Sequence, residues 1–207
     1  MVQATNPLRY SRVAMVLHWA IAVAIIAMLI MGTWMADAIK VPETQALAFQ
    51  TYQLHKSIGL TILVLSIARL VWRLLNPPPP LPAHMSFASR FAAHVAHWLF
   101  YGLMLALPIS GWVMVSASAF GLPTIVFDLF EWPHIPWIVA SDGKAEIEAG
   151  SKLAHRFMGY ATIVLLVLHV AAALKHQFID KDGLLGRMVP FLTVRQSTDA
   201  TERSSHA

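Results

Sequence analysis

Charged side chains are spaced along this chain in a way that leaves four long apolar stretches. No Lys, Arg, Asp or Glu occurs between Arg12 and Asp37. Ser57 to Ala68 is uncharged, with Arg69 and Arg73 arriving only at its far end. Arg90 and Asp128 enclose an uncharged run too long for one helix, and Arg156 and Lys175 enclose one of a single helix's length. A bilayer core takes roughly 20 apolar residues per helix. In the third stretch Ser116-Ala117-Ser118 and then Gly121-Leu122-Pro123 break the helical pattern. The pattern therefore predicts membrane helices at about 13–36, 55–75, 91–117 and 154–178. His55 and Lys56 start the second at one interface, and Arg69 and Arg73 snorkel to the other. The first stretch is too long for the apolar core of a signal peptide, about 7–15 residues.

The connections fit that division. Asn76-Pro77-Pro78-Pro79-Pro80-Leu81-Pro82 cannot continue a helix and reads as a stiff polyproline connector. Residues 118–153 form the longest predicted loop, and Trp132, Pro133, Pro136 and Trp137 suit it to the membrane interface. Residues 1–192 thus read as one four-helix transmembrane domain, and 193–207 as a disordered polar tail.

Composition sharpens the class. Apolar residues make up 57% of the 207 and charged residues 13%, at a mean hydropathy of +0.59. Soluble domains are about a quarter charged, so this chain lacks the polar material for a water-facing surface. A soluble enzyme and a disordered protein are both excluded. Cysteine is absent. Disulfides, thiolate metal sites, iron–sulfur clusters and covalent haem attachment through C-x-x-C-H go with it.

Four helices put both termini on one side, together with the 76–90 loop. That side carries Arg9, Arg12, Arg69, Arg73, Arg90, Lys175, Lys181, Arg187, Arg195 and Arg203, ten of the 15 basic residues. The opposite side carries Lys40, Lys56, Lys144, Lys152 and Arg156 with seven of the 11 acids. The positive-inside rule then predicts cytoplasmic termini in a multi-pass membrane protein. The pI near 9.6 follows from 15 basic against 11 acidic residues and needs no nucleic-acid partner to explain it.

Histidine within a membrane is costly and usually functional. His18 and His169 fall near the basic side, and His55 and His155 near the other. From His155 to His169 is about 21 Å along a helix, and the two lie within about 40° of one face. Two levels result, each with a pair of imidazoles on facing helices. His94 and His97, at the start of the third helix, compete with His18 for the basic-side level, and spacing alone does not exclude them. His84, His134 and His206 fall in loops or the tail and read as structural or incidental. Two imidazoles make a poor zinc site, which wants four ligands. They do complete the axial positions of a haem iron, whose other four ligands are the porphyrin's. His55-Lys56-Ser57-Ile58-Gly59 and His155-Arg156-Phe157-Met158-Gly159 read alike. In each a glycine sits one turn beyond the histidine, where a missing side chain makes room for a flat macrocycle. Lys56 and Arg156 are placed to meet haem propionates.

Each of these features also has a plainer reading. A lone histidine at a helix end is ordinarily an interfacial polar residue, and a glycine in a membrane helix is ordinarily a packing contact. The pairing at two levels, with the repeated glycine offset, is what favours a cofactor.

The sequence resembles the prokaryotic cytochrome b561 family, in the wider group that includes hydrogenase and formate dehydrogenase cytochrome b subunits. The likeness is carried by Arg9-Tyr10-Ser11 with His18-Trp19, and by His55-Lys56-Ser57-Ile58-Gly59 leading to Arg69-Leu70-Val71-Trp72-Arg73. It continues through His94-Val95-Ala96-His97 with Tyr101, Pro108 and Gly111, then His155, and His169 to His176. It ends with Asp182-Gly183 and Arg187-Met188-Val189-Pro190. It spans about residues 8–191 and is weakest over 118–153. The resemblance implies an all-α, four-helix bundle enclosing two b-type haems, ligated by His18 with His169 and His55 with His155. It leaves His94 and His97 a supporting or structural part. It further implies electron transfer with ubiquinone as one partner, and superoxide as a donor in some similar proteins, making a superoxide:quinone oxidoreductase one expectation. His176, two turns beyond His169 on the same face, is the candidate quinone contact. Being an interfacial histidine at the rim explains it equally well. Two other readings stand beside this: a cytochrome b subunit served by a separate dehydrogenase, and a histidine-dependent metal or proton transporter. The transporter expects acids within the helices, and the four predicted spans hold none.

Overall fold

The computed structural model describes residues 8–82 and 85–192, so His84, His206 and the predicted polar tail lie outside the described residues. Four helices long and apolar enough to cross a membrane carry the fold. The first, α1, runs Arg12–Ala38 and is capped by Ser11, whose Oγ accepts from the Ala14 N–H. The second, α2, runs Pro42–Leu75, with proline at its start, where no amide bond is lost, and Asn76 and the proline run at its end. The third, α3, runs Phe87–Ala117 behind the Ser86 cap, with Pro108 inside. A short hairpin follows: β1 (Thr124–Val126) pairs antiparallel with β2 (Phe130–Trp132). Its turn takes positive φ at Phe127 and Asp128. A single turn, α4 (Pro136–Val139), leads to α5 (Lys144–Lys175). A π-turn over His176–Asp180 and a 3-10 turn over Leu185–Arg187 complete the described chain.

Two helices start earlier than the apolar pattern predicts: α2 at Pro42 rather than His55, and α5 at Lys144 rather than Ala154. In both, the added length is amphipathic rather than apolar. Glu43, Gln45, Gln50 and Gln53 intersperse α2, and Lys144, Glu146 and Glu148 open α5. Uncharged runs mark only the part of a helix that lies in lipid, so these water-side extensions escaped the pattern. The region 118–153 is correspondingly not one loop, but a hairpin, a helical turn and the first turns of α5.

Helix α5 packs along α3, α1 along α2, and α2 against α3. The backbones of α1 and α2 approach α5 much less closely, which leaves a seam between that pair and the last helix. The small buried cluster of Ile21, Tyr101 and Met104, flanked by Ile25, Leu65 and Leu70, lies toward one end. A second, of Ala117, Ile135 and Ile138, joins α3 to α4 at the other. Most large apolar side chains instead face outward, among them Val16, Val23, Ile30, Val64, Val164 and Val167, as a lipid-facing surface requires.

The two ends of the bundle are closed differently. On the terminal face, the segments before α1 and after α5 are tied together. The Tyr10 N–H donates to Arg187 O, Trp19 Nε1 to Met188 O, and Arg9 to Pro190 O. On the opposite face the hairpin is pinned to α2. Ser57 Oγ accepts from the Phe127 N–H at 3.1 Å, while Lys56 Nζ and Gln53 Nε2 both donate to Pro123 O. Trp112 of α3 donates to Pro133 O.

Candidate cofactor sites

The seam holds the predicted histidines in two pairs. His55 of α2 and His155 of α5 face each other near the hairpin, with ring centroids 6.3 Å apart and planes at 65°. His18 of α1 and His169 of α5 do the same near the terminal face, at 6.3 Å and 64°. An imidazole nitrogen sits about 2 Å from a bound metal and about 1 Å from its own ring centre, so two imidazoles on opposite sides of one iron have centres about 6 Å apart. Both pairs meet that spacing.

The surroundings hold these rings in different ways. The Nδ1 of His155 lies 2.9 Å from Ser110 Oγ and 3.1 Å from Leu107 O, both on α3. An Nδ1–H given to that carbonyl fixes the tautomer and leaves Nε2 as the free ligand nitrogen. Proline at 108 and glycine at 111 shape this stretch of α3: a Cβ at Gly111 would lie 3.5 Å from His155 Cε1. Across the seam a Cβ at Gly32 of α1 would stand 3.3 Å from His55 Cε1, tighter than ordinary contact. His55 Nδ1 is buried with no hydrogen-bond partner among the described residues.

The terminal-face pair is more crowded. His97 of α3 lies edge-to-face with His169 at 5.8 Å, and Phe100 at 5.3 Å. His97 Nδ1 pairs with Ala93 O at 2.6 Å. His94 is exposed and pairs with Arg90 O, so of the two α3 histidines only His97 enters the cluster.

Of the other predicted site residues, Gly159 has open space where a side chain would stand, whereas Gly59 rests on Met28 at 3.6 Å. Lys56 is tied to the hairpin rather than turned into the seam. Arg156 lies over the Tyr160 ring at 5.8 Å, its chain half of an exposed cation–π pair. His176 Nδ1 meets the buried carboxylate of Asp182 at 2.6 Å and Asp180 at 3.2 Å. His134 lies in the connection before α4, with Nε2 buried and unpaired. Gly32, Ser110 and Leu107 carry no sequence signal of their own: each matters through a neighbour on another helix.

Four spanning helices with facing histidine pairs along one seam define a membrane cytochrome. The chain belongs to the prokaryotic cytochrome b561 family, whose profile matches residues 9–191. It is similar to cytochrome b561 homolog 2 of Escherichia coli (strain K12), at 35% identity over 89% of this chain and 93% of that one. The probable superoxide oxidase CybB of Yersinia pestis is 30% identical over 88% and 96%. Cytochrome b562 of Cereibacter sphaeroides is 27% identical over 87% and 94%. A membrane protein of this family carries b-type haem and serves electron transport, and the paired imidazoles fit such a group.

Proposed function

We propose that the protein is a di-haem cytochrome that passes single electrons across the bacterial inner membrane, between a donor at the hairpin face and ubiquinone at the terminal face. The observation that carries this reading is the equal 6.3 Å separation of two histidine pairs, His18 with His169 and His55 with His155. His18 is preferred over His97 as the partner of His169. It lies across the wide α1–α5 seam, where a flat ring can enter, while His97 sits in the close α3–α5 contact.

Haem supplies reversible one-electron chemistry at iron; with two imidazoles bound, no coordination site stays open for oxygen. The chain contributes the rest. Leu107 and Ser110 orient His155, Gly32 and Gly111 let the outer rings sit close to backbone, and the apolar helices exclude water. The hairpin, fastened by Ser57 and Lys56 next to His55, covers the outer level. At the terminal face His176, held by Asp182, presents its other nitrogen as a hydrogen-bond donor or acceptor for a quinone carbonyl. The excess of basic residues on the terminal face supports cytoplasmic termini.

Superoxide is one candidate donor, since a relative carries the name superoxide oxidase. Lys56 and Arg156 are the nearest cations in sequence to the outer ligands. Their joint replacement by Gln should slow haem reduction by superoxide while both haems remain. The central test is a reduced-minus-oxidised visible spectrum with haem-to-protein stoichiometry. About two b-type haems per chain is the expected result, and a colourless folded protein overturns the reading.

A further inference from the structure

Around the terminal-face histidines the chain gathers three guanidinium groups, none of them paired to a carboxylate among the described residues. Arg69 stands as far beyond His55 on α2 as His169 stands beyond His155 on α5, so it lies one level down on the same helix face. Its Nε donates to the hydroxyl of Tyr101, which is 5% exposed. Arg73, one turn on, lies 5.5 Å from the centre of the same Tyr101 ring and 6.0 Å from that of Trp98. Arg187 comes from the 3-10 turn after α5 and is 7% exposed. Its Nη1 donates to Pro80 O at 2.6 Å, but its Nε is buried with no partner among the described residues. Tyr10 lies among all three: burial pushes its phenol up, while Arg73, Arg187 and Arg69 pull it the other way.

Among the described residues none of these arginines forms an ion pair. The nearby acids are otherwise engaged, Asp182 with His176 and Asp180 with Lys175 and His176. Arg187 is buried and Arg69 and Arg73 are half-buried; like charges withdrawn from water with no counterion are costly, and an unpaired guanidinium Nε adds the loss of a hydrogen bond. The set calls for an anion with several planar acceptors, which arginine forks match in bidentate fashion. Haem carries two carboxylates on one edge. We propose that Arg69, Arg73 and Arg187 bind the carboxylates of the haem held by His18 and His169, so that the terminal-face level, rather than Lys56 and Arg156 at the hairpin face, carries the cationic anchor. This rests on the di-haem reading above.

Redox titration of the full-length protein in neutral detergent, following each haem separately, tests it. Removing a cation beside a haem disfavours the added electron. Arg69→Gln and Arg187→Gln should therefore each move the midpoint potential of the His18/His169 haem to more negative values and weaken its retention. The other haem should be unchanged, and Arg69→Lys, which keeps charge and stem, should recover part of the shift. Unshifted potentials and full haem content in both Gln variants would overturn the proposal while leaving two haems in place. A shift that appears only with added anionic lipid would assign the arginines to a headgroup and overturn it as well. A native protein with fewer than two haems would overturn the di-haem reading itself, a separately visible outcome.

Discussion

The two histidine levels share a ring separation and a crossing angle but differ in everything that holds them. At the hairpin face, orientation comes from backbone and one small hydroxyl side chain. Leu107 O and Ser110 hold His155, glycines abut both rings, and a hairpin covers the level from outside. At the terminal face it comes from side chains: His97 and Phe100 pack on His169, and three arginines and two tyrosines stand around the level. A site built against backbone is sensitive to added volume. One built from long cationic side chains is sensitive to lost charge. On the di-haem reading proposed above, the same fold would offer two iron environments of different polarity, the condition for two unequal potentials and a preferred direction of electron flow.

The largest effect should come from the ligands. His18→Ala or His169→Ala should lose the terminal-face haem, and His55→Ala or His155→Ala the other, taking the haem-to-protein ratio from about two to about one. His97→Ala should keep both. Loss of a haem in His97→Ala, with retention in His18→Ala, would reassign that level.

Next comes the contrast in tolerance to volume. Gly32→Leu places branches where a Cβ already meets His55 at 3.3 Å, and should deplete the hairpin-face haem selectively. Gly159→Ala, where the space is open, should leave haem content unchanged. Equal depletion in both variants would erase the distinction between the two glycines.

Ser110→Ala should have a smaller effect, a loss of about tenfold in affinity for the hairpin-face haem, the low end for partners that orient a ligating imidazole. Leu107 O remains to hold His155. Haem titration of the stripped protein measures it. The smallest effect is expected for Lys56→Gln, which removes one hydrogen bond to Pro123 O, worth about 1 kcal/mol. Proteolysis at the hairpin should quicken while haem content holds.

The four spans and the register of the histidines were legible in the sequence, because lipid imposes uncharged runs and about four turns of helix bring a chain back to one face. The family was legible from motifs on every helix. Less of the neighbourhood was. Glycines at 59 and 159 are visible by their repeated offset, yet Gly32 and Gly111 make the close approaches to the rings. Which glycine faces which ring depends on how helices pack, not on spacing within one. Lys56 illustrates the same limit: adjacency to His55 suggested a carboxylate partner, while the hairpin that takes its ammonium is 67 residues away in sequence. The water-side extensions of α2 and α5 were hidden because amphipathic helix outside lipid breaks no hydrophobicity rule.

Helix α5 supplies one histidine to each pair, and it is the last long helix to be synthesised. On the di-haem reading, a nascent chain that has inserted α1, α2 and α3 therefore owns half of each ligand set and can retain neither haem. Capture at both levels must await the arrival of the final span, so assembly is closed by a single late event rather than built up one centre at a time. Chains stalled before His155 would leave the membrane with apoprotein alone, and only a stop between His155 and His169 would complete one pair without the other.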